Sequence, residues 1–102
     1  MAELMKTYPD TTAVIEGHTD SRGSATKNLE ISQRRAQSIK KYFANTFGIA
    51  PERITVEGFG DTRPIASNAT SEGRRKNRRV LVILYGNARK PWLKMLQRAH
   101  SP

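Results

Sequence analysis

Cysteine is missing from this chain of 102 residues, so no disulfide can close a loop and no thiolate can act as nucleophile or metal ligand. Histidine is nearly as scarce. His18 and His100 are the two present, and neither stands in an H-x-x-x-H or comparable metal-binding spacing. A G-x-S-x-G elbow is also lacking, and with it the strained serine that a Ser-His-Asp arrangement requires. These gaps predict a chain that is not an enzyme and holds no metal or cofactor. The longest apolar run, Val80 to Tyr85, is far short of the roughly twenty residues of a membrane-spanning helix, so no transmembrane segment is expected. Met1 to Tyr8 lacks the basic start, apolar centre and small-residue cleavage site of a secretory leader. Acidic side chains are few: 9 against 18 lysines and arginines, a net charge of +9. So basic a balance calls for an anionic partner, whether nucleic acid, an acidic membrane surface or a carboxylate-rich polymer.

What is present fits one small globular domain, with 36% apolar and 26% charged residues. Met1 to Lys6 carries good helix formers and is stopped by Pro9-Asp10. Thr12 to Glu16 is a short β-rich run ending at Gly17, and alternation places Glu16 and His18 on one face with Ile15 and Gly17 on the other. A helix is expected from about Lys27 to Thr46, capped by Ser24 or Thr26, with Leu29, Ser32, Ala36, Ile39, Phe43 and Phe47 inward. Gly48 closes it. Ile54 to Glu57 reads as a second strand, residues 61–76 as a surface loop with a helical turn near Ser71 to Arg74, and Val80 to Tyr85 as a central buried strand.

The chemistry gathers at Gly17-His18-Thr19-Asp20-Ser21-Arg22-Gly23 and the helix that follows it. At about 100° per residue, Asn28, Arg35 and Tyr42 share a line on the helix flank, neither core nor full solvent. A loop folding back on the first turns of its own helix brings the Asp20 carboxylate and the Arg35 guanidinium to one pocket. An anion and a cation side by side form a receptor for a zwitterion.

Four blocks carry a resemblance: Gly17-His18-Thr19-Asp20, Asn28 to Ala36 in a family spacing N-x-x-L-S-x-x-R-A with Ile31 at the leucine position, Gly58-Phe59-Gly60 with Pro64 downstream, and Asn77-Arg78-Arg79-Val80. From about Tyr8 to Tyr85 the chain resembles the OmpA-like peptidoglycan-binding domain of outer-membrane protein A, the peptidoglycan-associated lipoprotein and flagellar stator proteins. The resemblance implies an α+β two-layer sandwich, a mixed β-sheet with helices on one face. It implies non-covalent binding of peptidoglycan through the diaminopimelate of the stem peptide, tethering an envelope protein to the cell wall in the periplasm. Outer-membrane association would come through a part of the parent protein outside this chain. Asp20 and Arg35 would hold the ammonium and carboxylate of diaminopimelate, with Thr19, Asn28, Ile31 and Arg79 completing the site. Which of Arg78 and Arg79 faces the pocket depends on strand register, because one slip exchanges them. The family's first strand has no counterpart upstream of Met1, which predicts an unpaired sheet edge that a strand from a second chain, or an envelope-protein partner, would cover.

Two features point elsewhere. The run Arg74-Arg75-Lys76-Asn77-Arg78-Arg79 suggests a basic nucleic-acid-binding module, although no RNP aromatics or zinc-finger spacing accompany it. Residues 87–102 follow the expected domain of residues 1–86 as a basic amphipathic extension. Lys90 to Ala99 reads there as a short helix with Pro91 in its first turn and Trp92, Leu93, Leu96 and Ala99 on one side, a candidate surface for protein-protein assembly.

Overall fold

The computed structural model describes residues 2–86 and 94–99. Its elements run α1 (Ala2–Thr7), β1 (Thr12–His18), α2 (Ala25–Phe47), a 3-10 turn (Pro51–Arg53), β2 (Ile54–Gly60), α3 (Ser71–Asn77), β3 (Arg79–Tyr85) and β4 (Lys94–Ala99). The four strands form one mixed sheet in the order β2-β1-β3-β4. β1 and β2 are parallel, so a crossover must join them, and α2 is that crossover. β1 with β3, and β3 with β4, are antiparallel. The architecture is the expected α+β arrangement of a mixed sheet with helices.

Alternation along the strands decides which face α2 covers. Ala13 and Ile15 of β1, Ile54 of β2, and Val80, Val82 and Leu84 of β3 are buried with Ala36 and Phe43 of α2, and Ala2 and Met5 of α1 join the same core. α2 lies unusually close to the sheet. A side chain at Gly17 would collide with the backbone carbonyl of Ser32, and one at its parallel neighbour Gly58 with the backbone of Gln33. With no Cβ at either position, helix backbone rests on strand backbone. Ser32 seals the contact, its hydroxyl accepting from Gly60 N at 2.9 Å. Ser24 caps α2 by accepting from Lys27 N at 3.1 Å, and Gly48 ends it in the left-handed region at φ 67°. At the far end Arg53 donates to the carbonyls of Met5, Tyr8 and Thr11, fixing the exit of α1 against the start of β2.

Two expectations are corrected here. Leu29 is 45% exposed rather than inward, because docking through the glycine pair turns the line Asn28-Ser32-Ala36 to the sheet and leaves Leu29 at the margin beside Gly60. The C-terminal helix is a strand over Lys94–Ala99, paired in register from Val80↔Ala99 to Tyr85↔Lys94; the helix's expected first residues, 90–93, lie outside the described residues. A helix this short is marginal in water, whereas pairing satisfies the row of amides and carbonyls that β3 would otherwise present. The outer edge of β3 is thus covered by the same chain.

Candidate ligand-binding site

The C-terminal end of β1 delivers the site. A bulge between Gly17 and His18 shifts the register against β2, and Thr19 N donates to Gly60 O at 2.8 Å before the chain leaves the sheet. The loop then closes on itself and on α2. Arg22 N donates to Asp20 Oδ1 at 2.9 Å, Thr19 Oγ1 donates to Asp20 O at 2.8 Å, and Asn28 Nδ2 reaches Asp20 O at 3.3 Å and Arg22 O at 3.1 Å. Asn28 is therefore a buried organiser that holds the loop over the first turn of its own helix.

These constraints border an open cavity of about 270 Å³. Thr19, Asp20 and Arg22 line it from the loop, Asn28, Ile31 and Arg35 from α2, and Arg78 from the end of α3. Asp20 and Arg35, fifteen positions apart, both line this one cavity, the first from the loop and the second from α2. Thr19, Asn28 and Ile31 are there too.

Arg79 is not. It opens β3 opposite His18, is 3% exposed, and donates to Asn77 O at 3.1 Å and Arg63 O at 3.0 Å, away from the cavity. Its place is taken by Arg78, whose Nη1 lies 2.6 Å from Asp20 Oδ2. Arg78 caps α3 one residue before the strand begins, so strand alternation does not govern where it points. Of the two arginines the sequence leaves open, the structure selects Arg78; Arg22 is the lining residue that sequence does not flag, since a turn between Ser21 and Gly23 accounts for it without a ligand. Burial raises the pKa of the Asp20 carboxyl, but the Arg22 amide, the Arg78 hydrogen bond and the charges of both arginines outweigh this and hold it below the ordinary aspartate value. Asp20 is an anion at neutral pH.

The connection after β2 is more ordered than its composition suggests. Buried Asn77 accepts from Ile65 N and Ala66 N at 2.8 and 3.0 Å and donates to Asn68 Oδ1 at 2.8 Å; Asn68 Oδ1 also accepts from Ser21 N at 3.3 Å. The asparagine of the N-R-R-V block thus ties the long connection to the site loop. The same geometry breaks up the basic run. Arg74 donates to Asn68 O, Lys76 lies 3.8 Å from Glu72, Arg78 turns to Asp20, and Arg79 is buried. Arg75 and Lys76 alone of the run stay exposed, and the other three arginines serve contacts within the fold.

The family model described as the OmpA family matches residues 1–78. The chain belongs to the OmpA family. This OmpA-family chain is 45% identical over 80 residues, 78% of its own length and 23% of the relative's, to outer membrane porin F of Pseudomonas aeruginosa. It is 42% identical over 84 residues to the peptidoglycan-binding protein ArfA of Mycobacterium tuberculosis, covering 82% of the chain and 26% of the relative. Among solved structures, the cell wall anchor of the T6SS from Pseudomonas aeruginosa superposes with a TM-score of 0.68 at 39% identity, over 81% of this chain and 59% of that one. The chain spans about a quarter of the length of the first curated relatives it matches.

Proposed function

We propose that this domain binds the stem peptide of peptidoglycan without covalent chemistry and so anchors a larger envelope protein to the cell wall in the periplasm. The observation that carries the reading is the meeting of Asp20, from the loop, and Arg35, from the helix flank, on one cavity. Arg35 takes the end-group carboxylate of diaminopimelate, its planar fork suited to two parallel hydrogen bonds. Asp20 accepts from the ammonium. An ionised carboxylate has about four acceptor positions, and Arg78 and the Arg22 amide use two of those on Asp20, so capacity remains for the ligand. The names of two relatives, a peptidoglycan-binding protein and a cell wall anchor, support the same reading.

Co-sedimentation with purified sacculi tests it. Asp20→Ala and Arg35→Ala should each lose at least about tenfold in affinity, the factor for one charge-assisted contact, with unchanged circular dichroism. Undiminished sedimentation of both variants would refute the assignment.

A further inference from the structure

The cavity is unbalanced in charge. Three arginines, Arg22, Arg35 and Arg78, line it with a single acidic residue, Asp20. Both Asp20 oxygens are engaged, Oδ2 by Arg78 and Oδ1 by the backbone amide of Arg22. An end group carrying one ammonium and one carboxylate adds no net charge and leaves the imbalance as it was. A ligand with one more carboxylate reduces it, and the three arginines divide the work unequally. Arg78 is committed to Asp20. Arg35 is the helix-flank cation assigned above to the end-group carboxylate. Arg22 remains, and its backbone is clamped on both sides, its amide to Asp20 Oδ1 and its carbonyl to Asn28 Nδ2, while the residue is solvent-exposed at the cavity wall. A clamped backbone carrying an exposed cationic residue on the cavity lining suits recognition of a group beside the end group, not of the end group itself.

We infer that Arg22 reads a second carboxylate on the ligand, so that the site selects stem peptide whose carboxyl neighbouring diaminopimelate is a free acid over the same peptide amidated. This rests on the peptide-binding reading above. It adds a chemical distinction that Asp20 and Arg35 cannot make, because the diaminopimelate end group is identical in the two peptides.

Calorimetric titration at low salt with γ-glutamyl-diaminopimelate, the glutamyl α-carboxyl either free or amidated, tests the inference. The native chain should bind the acid about tenfold more tightly than the amide, the factor expected of one charge-assisted hydrogen bond. In Arg22→Gln the two affinities should fall within about twofold of each other. Equal affinities for acid and amide in the native chain would overturn the role of Arg22, as would a tenfold preference that survives Arg22→Gln; in either case peptide binding itself would stand. Binding of neither peptide by the native chain would instead remove the peptide-binding reading and this inference with it.

Discussion

His18, buried beside the cavity lining without belonging to it, makes the stability of the fold depend on pH. Its side chain is 1% exposed, with Nε2 3.1 Å from Glu16 Oε1 and the ring stacked on Phe59 at 5.4 Å. Because Glu16 accepts, Nε2 carries the hydrogen, and Nδ1 is buried with no hydrogen-bond partner among the described residues. Protonation would place a second N–H there. Burial lowers the His18 pKa; Glu16 opposes this, while Arg79 from β3 and Arg63 from the following connection add to it. The fold therefore takes up the proton less readily than the unfolded chain, which titrates near 6.5. Stability is full above that value and falls as pH drops through it toward the lower folded pKa, each tenfold loss of proton affinity costing about 1.4 kcal/mol. Thermal melts at pH 7.5 and 5.0 should show a drop for the native chain that is much smaller in His18→Gln, whose amide can still donate to Glu16. The depressed pKa of Asp20 plays no part in that window, since its contribution is lost only below the ordinary aspartate range. Equal drops in the two proteins would contradict the burial argument. At this scale the sequence was readable where a residue type and a spacing coincide, as at Asp20 and Arg35. It was unreadable where a helix cap decides direction, as at Arg78, and where an arginine is hidden among turn residues, as at Arg22.

Among elements, α2 matters most, because its closeness to β1 and β2 sets the position of Asn28, Ile31 and Arg35 relative to the loop. Gly17 controls that closeness. In Gly17→Ala the new methyl would strike the Ser32 carbonyl, and since both parties are backbone neither can swing aside. The helix must lift or the strand must bend, at a cost of about 3 kcal/mol or more, the upper range for overpacking. A small domain is stable by about 5–15 kcal/mol, so the urea midpoint should fall markedly while the protein still folds. Sacculus binding should weaken further than stability alone explains, because the lifted helix carries Arg35 away from Asp20. An unshifted urea midpoint would mean that the helix does not depend on this contact. Periodicity revealed α2 itself and its Ser32-Ala36-Phe43 core line. It did not reveal that two glycines on neighbouring strands rotate the helix enough to expose Leu29, because such a contact involves no side-chain pattern on the helix.

For the whole molecule, the decisive element is the one that local pattern misread. Residues 94–99 carry spacing compatible with a helix, yet their backbone completes the sheet along β3 from Val80 to Tyr85. Local helical spacing lost to pairing with the preceding strand, from which only residues 86–93 separate it in sequence. The two assignments predict opposite results for one experiment, truncation after Gly86. If the extension were a helix mediating assembly, removing it would dissolve oligomers. As an edge strand it does the reverse: its loss bares the amides and carbonyls of a strand rich in valine, leucine and isoleucine, the kind of edge that recruits another chain. The truncated protein should melt at a lower temperature and show concentration-dependent association by light scattering, while the full chain associates less at the same concentration. Because the cavity is lined by the loop after β1, by α2 and by the end of α3, none of which pairs with β4, peptide affinity per folded molecule should change little. A truncated chain that stays monomeric with an unchanged melting temperature would show that β4 contributes nothing to the sheet in solution.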